Sequence, residues 1–400
     1  MSKIILHIDL NAFFVRCEEI RNPSLIGKPV LIGHLGRAGI VSTCSYKARE
    51  FGIRSGMPMF KATALCKDAI IIPGDYNYYS KKSHEFFSFV LRYSKIVEKA
   101  SIDECYVDMT NELEEVKDVI SYLKEFQTRL AEETGLWCSI GVAPTKFLAK
   151  MASDMKKPLG ITIIRRKDIP TKIYPLPIED FYGIGKKTAP KLKEMGINTI
   201  KDLAAKLNND DESIKSYLGK SWSILKDWVN GYGSDEVIIE PEDPKSIGMS
   251  TTLMHDSNNY EELKETLNEL SKEVCEKAKI ANKIGGSVQL VMKDNDFKVI
   301  NRSKTLSKPT NEHAQVFNVI LDLLDKNFEE SKSIRLVGVT LQKLIDPSDA
   351  HIQISLFDNY EQIKEECATT LLIGELNRKM NKTVFKTAKE SLKEKNNGSR

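Results

Sequence analysis

The sequence predicts a multidomain α+β protein, on three observations. Strand-like and helix-like runs mix irregularly through the first 168 residues. Beyond a boundary marked by Pro170, Pro175 and Pro177 comes a short helix, a Gly-x-Gly turn and a second helix. From residue 247 to 342 the order is strand, helix, strand, strand, helix, strand. Irregular mixing favours sheets with segregated helices. The last order predicts a ferredoxin-like sheet with both helices on one face.

Residues 3–10 read as a buried strand, because Lys3-Ile4-Ile5-Leu6-His7-Ile8 is an almost continuous apolar run. A helix opens at Ala12. Short strands follow at 30–32 and 40–42, then a helical turn at 46–51 closed by Gly52. Long helices are expected at 78–95 and 114–133, with a strand pair between them around Asp103-Glu104. Strands at 137–142 and 161–164 flank a helix at 145–152. This arrangement makes one sheet domain into which residues 20–75 are inserted. In Phe181-Tyr182-Gly183-Ile184-Gly185-Lys186-Lys187 the glycines permit close backbone approach, as in helix-hairpin-helix elements that hold a DNA phosphate. A Gly-x-Gly turn alone is usually a helix cap; Lys186 and Lys187 directly after it favour the phosphate. Glu240-Pro241-Glu242-Asp243-Pro244-Lys245 reads as a linker. Strands at 247–254, 286–292, 297–306 and 333–342 and helices at 259–281 and 311–328 follow.

The most informative residues are the adjacent acids Asp103 and Glu104, set among Ile96, Val97, Cys105, Tyr106 and Val107, with a third acid, Asp9, ending the first strand. Neighbouring carboxylates repel, and burying one unpaired is unfavourable. An acid closing each of two strands suggests one divalent-cation site, and oxygen ligands favour magnesium. Taken singly, either run also reads as a solvated turn. A regular strand would point Asp103 and Glu104 to opposite faces, so a shared site requires a bend near residues 101–104.

With 400 residues and 41% apolar content the chain can bury several cores. No apolar stretch approaches a membrane span. Seven scattered cysteines without a C-x-x-C pair argue against zinc and for reduced thiols, hence a cytoplasmic protein. The net charge of +3 says little by itself. Within 245–343 the acids concentrate on helix-like segments, while Lys293, Lys298, Arg302, Lys304, Lys308, Lys332, Arg335 and Lys343 lie in or beside strands. A sheet with a basic free face would bind a polyanion; ordinary solvated charge is the alternative.

Together these pieces resemble a Y-family translesion DNA polymerase of the bacterial polymerase IV and polymerase V branch, over roughly residues 3–345. The motifs are His7-Ile8-Asp9-Leu10-Asn11-Ala12-Phe13-Phe14, Ser42-Thr43-Cys44-Ser45-Tyr46-Lys47-Ala48-Arg49, Ser101-Ile102-Asp103-Glu104, Gly141-Val142-Ala143 with Lys146, and Lys157-Pro158-Leu159-Gly160. The resemblance implies a right-hand polymerase: a ferredoxin-like palm at 1–18 and 76–168, small fingers at 19–75, and a helical thumb with helix-hairpin-helix at 169–238. A linker at 239–245, a βαββαβ little finger at 246–345 and a tail at 346–400 complete it. It implies low-fidelity, template-directed addition of deoxynucleotides to a primer 3′-hydroxyl. Two Mg²⁺ ions, replaceable by Mn²⁺, would be held by the catalytic acids Asp9, Asp103 and Glu104. Tyr46 and Arg49, three residues apart, would present from one helical face to the triphosphate. Lys157 joins them, with Thr43 a further candidate. Phe13-Phe14 taken alone reads as core; in the motif both line the nucleotide site, and Phe14 matches the steric gate against ribonucleotides. Gly183, Gly185, Lys186, Lys187, Lys298, Arg302, Lys304 and Arg335 are the expected DNA contacts.

Gln353-Ile354-Ser355-Leu356-Phe357 resembles the peptide that docks bacterial polymerases on the β sliding clamp, with Gln353 on the pocket rim and Leu356 and Phe357 within it. Partners would thus be primer–template DNA, deoxynucleoside triphosphates and the clamp, acting on a monomer. Two positions depart from the pattern: Asn11 replaces a common second acid and Ala12 a frequent aromatic. The tail from residue 369, with a basic amphipathic helix, resembles the polymerase V-like subgroup more. A nucleotide cyclase with a similar palm leaves the helix-hairpin-helix and clamp peptide unexplained. A clamp-tethered DNA-binding protein without catalysis would be expected to lack one of the three acids.

Overall fold

The computed structural model describes residues 3–240, 242–349 and 372–373. It divides into two compact units, Met1–Asp243 and Pro244–Arg400.

In the first unit, β1 (Ile5–Leu10) is buried along its whole length, as its unbroken apolar run requires of a strand covered on both faces. Ala12, at φ 46°, turns the chain into α1 (Phe13–Arg21). This left-handed conformation is uncommon for a residue with a Cβ. β2 (Val30–Gly33) and β3 (Val41–Cys44) pair antiparallel. α2 (Tyr46–Glu50) and α3 (Met59–Leu65) lead to β4 (Ile70–Ile72), giving a small sheet of order β3-β2-β4 over its own core.

α4 (Tyr76–Val90) starts two residues before the expected helix, because the Asp75 side chain accepts a hydrogen bond from the Tyr78 amide and caps it. β5 (Val97–Lys99) and β6 (Glu104–Asp108) form a hairpin. A short α5 (Thr110–Leu113) precedes the helix expected over 114–133, which begins only at Val119 as α6 (Val119–Thr134). Asp118 accepts from the Ser121 amide and begins a fresh helix, which Gly135 closes at φ 75°. β7 (Cys138–Ala143), α7 (Lys146–Met155) and β8 (Ile161–Ile163) complete a sheet of order β5-β6-β1-β7-β8.

Gly141 of β7 determines how closely α7 approaches this sheet. A Cβ there would lie 2.0 Å from the Ala149 carbonyl oxygen and 2.4 Å from the Ser153 nitrogen. Only glycine lets the helix lie directly on the strand. Gly141 pairs with His7 of β1, so the same contact brings α7 alongside the strand carrying Asp9.

α8 (Ile169–Lys172), α9 (Thr188–Glu194), α10 (Ile200–Asn208), α11 (Glu212–Leu218) and α12 (Ser221–Val229) share a core with α7, in which Phe147 stacks on Trp228 at 4.8 Å. The turn bearing Gly183 (φ 95°) and Gly185 precedes α9, with Lys186 and Lys187 exposed.

The second unit runs β9 (Ser246–Ser257), α13 (Tyr260–Ile280), β10 (Ile284–Asp294), β11 (Val299–Thr310), α14 (His313–Asp325), β12 (Ile334–Ile345). Its antiparallel sheet has the order β11-β10-β12-β9. The strands of each βαβ step are therefore separated by a strand of the other, the split arrangement. Val288, Leu290 and Met292 of β10 and Val337, Val339 and Leu341 of β12 face the helices.

One expectation is corrected here. The free sheet face does not carry the predicted row of bases. Arg302 and Lys304 stand opposite Leu290 and Val288, which puts them on the helix-covered side. There Arg302 Nε donates to Asn327 Oδ1 at 2.9 Å, and Lys304 Nζ to Asp322 Oδ2 at 2.9 Å. The other face presents Gln289, Ser303, Thr340 and Gln342, mostly neutral, with Lys293 beside them. Lys298 lies in the β10–β11 turn, where its amide donates to Asp294. The Arg335 guanidinium stacks 4.9 Å from the exposed Phe297 ring.

Candidate active site

The bend that the acid pair requires is present. Residues 100–103 turn between β5 and β6, with the amides of Ala100 and Ser101 both donating to the Glu104 carbonyl. Ser101 Oγ donates to Asp103 Oδ1 at 2.6 Å and accepts from the Asp103 amide. Asp103 is thereby lifted off the strand. Glu104, the first residue of β6, pairs directly with Asp9 of β1, so their side chains share a face.

A cavity of about 360 Å³ opens at this end of the sheet, lined among others by Asp9, Asp103, Phe14, Tyr46, Arg49 and Lys157. Thr43 and Phe13 also reach its wall. Phe13 is only 3% exposed and is mainly a core side chain. Phe14, half-buried, is clamped by a stacked Tyr79 ring at 4.4 Å and an edge-on Tyr76 at 5.7 Å. Tyr46 and Arg49 project from α2, whose first turn is fixed by Ser45 accepting from the Ala48 amide. The Arg49 guanidinium lies 4.6 Å from the Tyr46 ring. The Tyr46 hydroxyl is buried and has no hydrogen-bond partner among the described residues. Burial raises its pKa, so it remains a donor.

Glu104 does not line this cavity. It lies beside it against two residues that the sequence reading did not single out, His7 and Lys150. Lys150 Nζ is 2.7 Å from Glu104 Oε2 and 3.1 Å from Asp9 Oδ2. The fully buried His7 places Nδ1 at 2.8 Å from Ser153 Oγ and Nε2 at 3.4 Å from Glu104. The His7 ring at 3.4 Å, then the Lys150 ammonium at 2.7 Å, hold the Glu104 carboxyl far below the usual range despite burial. Burial alone would lower the Lys150 pKa, but the charges of Asp9, Asp154 and Glu104 outweigh it and raise it. Asp103 behaves oppositely. Burial, then the charges of Asp9 and Glu104, raise its pKa against the Ser101 hydrogen bond. It therefore carries uncompensated like-charge repulsion, the environment that a bound cation relieves. Ligand atoms of His7, Asp9 and Glu104 come within 4.8 Å of one another.

Asn11 is not a metal-facing substitute for an acid. It is 2% exposed and points into the fold. Its Nδ2 donates to Ser139 Oγ at 2.9 Å, and its Oδ1 accepts from the Leu159 amide at 2.8 Å. It thus clasps the Lys157-Pro158-Leu159 turn to the sheet. From that turn Lys157 Nζ reaches Asp9 at 2.7 Å and Asp154 at 2.8 Å. His7 was legible as a same-face neighbour two residues before Asp9. Nothing in the sequence alone ties Lys150 to the acids.

Carboxylates and cations gathered around an aromatic-floored cavity, on an α+β chain with a separate βαββαβ unit, define a nucleotide-polymerising class of protein. Comparison with known proteins carries this further. Residues 8–154 match the impB/mucB/samB family, residues 166–197 its HHH motif and residues 244–356 its C-terminal domain. The DNA polymerase IV of Bacillus velezensis is 39% identical over 96% of this chain and 92% of the relative. That of Clostridium kluyveri is 37% identical over 99% of this chain and 100% of the relative. Among solved structures, a Y-family DNA polymerase chimera of Dbh and Dpo4 superposes with TM-score 0.75 at 27% identity, covering 86% of this chain and 99% of that one. An insertion ternary complex of Dbh DNA polymerase gives TM-score 0.59 at 27% identity, with the same coverages. The chain belongs to the impB/mucB/samB family of Y-family DNA polymerases, in the DNA polymerase IV branch. It is a DNA-directed DNA polymerase of the translesion type, acting on DNA and nucleotides with a divalent metal. The comparisons give no support to a cyclase or a non-catalytic DNA-binding protein. They also correct the leaning of the tail toward the polymerase V-like subgroup, since relatives named DNA polymerase IV align across almost the whole chain.

Proposed function

We propose that Asp9, Asp103 and Glu104 hold the divalent cations of nucleotidyl transfer, two Mg²⁺ by oxygen preference, with Mn²⁺ able to substitute. Cations held there would supply Lewis-acid chemistry toward the primer hydroxyl and the departing pyrophosphate. Tyr46, Arg49 and Lys157 receive the triphosphate, with Thr43 beside them, and Asn11 keeps Lys157 in place. The Phe14 ring, fixed by Tyr79 and Tyr76, lies under the deoxyribose and excludes a 2′-hydroxyl. The observation that carries this reading is one cavity uniting Asp9 and Asp103 with Arg49, Lys157 and the unpartnered Tyr46 hydroxyl. Tyr46→Phe is expected to raise KM for deoxynucleotides at least about tenfold with little change in kcat, since one hydrogen bond to a charged group contributes about 1.5–3 kcal/mol. Unchanged steady-state KM in single-nucleotide insertion would remove Tyr46 from the triphosphate site.

The two sheets and the helical cluster of the first unit support palm at 1–18 and 76–168, fingers at 19–75 and thumb at 169–238, with cores that run into one another: Val30 and Ile32 of β2 pack into the palm core, and α7 packs into the helical one. The division at Asp243 supports a linker at 239–245 before a little finger at 246–345. DNA would meet Gly183, Gly185, Lys186 and Lys187 in the thumb and Lys298 and Arg335 in the little finger. Arg302 and Lys304 would do so after leaving Asn327 and Asp322. One chain holds every proposed site residue, which supports a monomer. The buried free cysteines, with Cys17 pushed up to about 12 by burial, support a reducing cytoplasm.

Docking on the β sliding clamp through Gln353, Leu356 and Phe357 belongs to the same reading; these residues lie outside the described ones. Replacing Leu356 and Phe357 with alanine is expected to abolish clamp-stimulated processivity while sparing distributive synthesis. Equal stimulation of both proteins in a primer-extension assay with loaded clamp would exclude the peptide.

A further inference from the structure

The acid cluster holds a cation of its own. The Lys150 ammonium sits between Asp9 Oδ2 at 3.1 Å and Glu104 Oε2 at 2.7 Å, with only 14% of its side chain exposed. Its helix is pressed against the sheet at Gly141, which keeps the Lys150 backbone beside the acids while its side chain stays free to turn. One turn further on, at i+4, Asp154 Oδ2 lies 3.7 Å from the same ammonium, and that carboxylate is half exposed. Lys157 repeats the arrangement, touching Asp9 at 2.7 Å and Asp154 at 2.8 Å. Asp154 is thus a second anion within reach of both lysines and outside the group formed by His7, Asp9 and Glu104.

Two carboxylates as close as those of Asp9 and Glu104 repel each other when both are ionised. Removing the partner of a buried charge is strongly destabilising. An ammonium bridging two carboxylates therefore keeps them assembled, and any cation entering between them must compete with it. We propose that Lys150 is a positioning residue serving as a built-in counter-cation. It holds Asp9 and Glu104 together before divalent metal binds, and its ammonium, still protonated, turns to pair with Asp154 as metal enters. This rests on the reading of Asp9 and Glu104 as metal ligands. Its consequence is a cleft organised before loading, at the expense of weaker metal binding by the free protein. Entry of substrate shifts the balance, because the triphosphate draws Lys157 off Asp9 and leaves Asp154 open to Lys150.

The experiment measures Mn²⁺ binding to the full chain, without DNA or nucleotide, by loss of the free-Mn²⁺ electron paramagnetic resonance signal, and melting temperature in EDTA and in Mn²⁺. Lys150→Met is expected to bind Mn²⁺ about tenfold more tightly, as removal of a competing cation at a few ångströms implies. It should melt lower than the native chain in EDTA and recover in Mn²⁺. Asp154→Asn, which removes the receiving anion, is expected to bind Mn²⁺ several-fold more weakly. Lys150→Arg keeps the charge and is expected to bind Mn²⁺ no more tightly than the native chain, which keeps the test open if the methionine variant does not fold. Unchanged or weaker Mn²⁺ binding by Lys150→Met, or equal tightening by Lys150→Arg, overturns the proposal. Asp9→Asn separates the two readings. Loss of Mn²⁺ binding there, with Lys150→Met unchanged, leaves the metal site standing without the counter-cation. Retained Mn²⁺ binding in Asp9→Asn overturns the metal site itself.

Discussion

Asp103→Ala is expected to retain primer–template affinity while primer extension falls by about 10³-fold or more, the scale of losing a charge that stabilises transition-state charge. Asp103 lines the cavity from a turn that two backbone hydrogen bonds to the Glu104 carbonyl close, its own carboxylate adding only the bond from Ser101 Oγ, so truncation should leave the fold intact. The raised Asp103 pKa also gives a stability prediction with a definite sign. A carboxyl whose folded pKa lies above its unfolded value opposes folding once ionised. Removing it should raise the metal-free melting temperature at neutral pH, and the gain should vanish in acid, where both states are protonated. A tenfold loss or less in single-turnover extension with Mg²⁺ would exclude Asp103 as a ligand. A lower melting temperature at pH 7 would contradict the electrostatic picture.

Phe14→Ala should admit ribonucleotides, reducing discrimination between deoxyribose and ribose by about 10²-fold. Forcing an extra atom into a packed site is unfavourable by about 1–3 kcal/mol or more, and each 1.36 kcal/mol is tenfold in rate. The ring suits this role because it cannot yield: Tyr79 stacks on one side and Tyr76 meets it edge-on. Tyr79 is itself fully buried and donates to Glu18 Oε1 at 2.8 Å, so the support is rigid. Competitive insertion of the two sugars opposite one template base measures the ratio, and deoxynucleotide insertion reports folding. A ratio unchanged from the native enzyme would dismiss Phe14 as the gate.

Much of this was legible before any coordinates. The βαββαβ order of the second unit follows from strand and helix periods, and its expected elements fall within a few residues of the observed ones. Parity set a condition that the turn at 100–103 meets: neighbouring strand residues cannot share a face, so a site shared by Asp103 and Glu104 needs a bend there. Helix ends were less legible. Asp75 and Asp118 act as caps only because their side chains turn back onto amides three residues ahead, a local choice that apolar periodicity does not report.

The basic face failed for a reason that the sequence also contained. Ile300, Arg302, Lys304 and Leu306 share one parity, and the two apolar members belong against the helices. The two bases go with them, toward Asp322 and Asn327. Charge was counted by segment, whereas a strand sorts it by alternate residue.

What the sequence by itself determined is the set of groups: three acids, the Tyr46–Arg49 helical turn, the Phe13-Phe14 pair and the order of elements. Each is a local pattern, readable because period and spacing are properties of the chain. What only the tertiary structure decided is which charges meet. Asn11 became a clasp because β1 places it against Ser139 and Leu159, not toward the cavity. Lys150 lies 141 residues from Asp9 and 46 from Glu104 along the chain. It reaches both because Gly141 lets a helix lie flat on the sheet. Electrostatic partnership depends on distance through space, and a sequence specifies that distance only after it has folded.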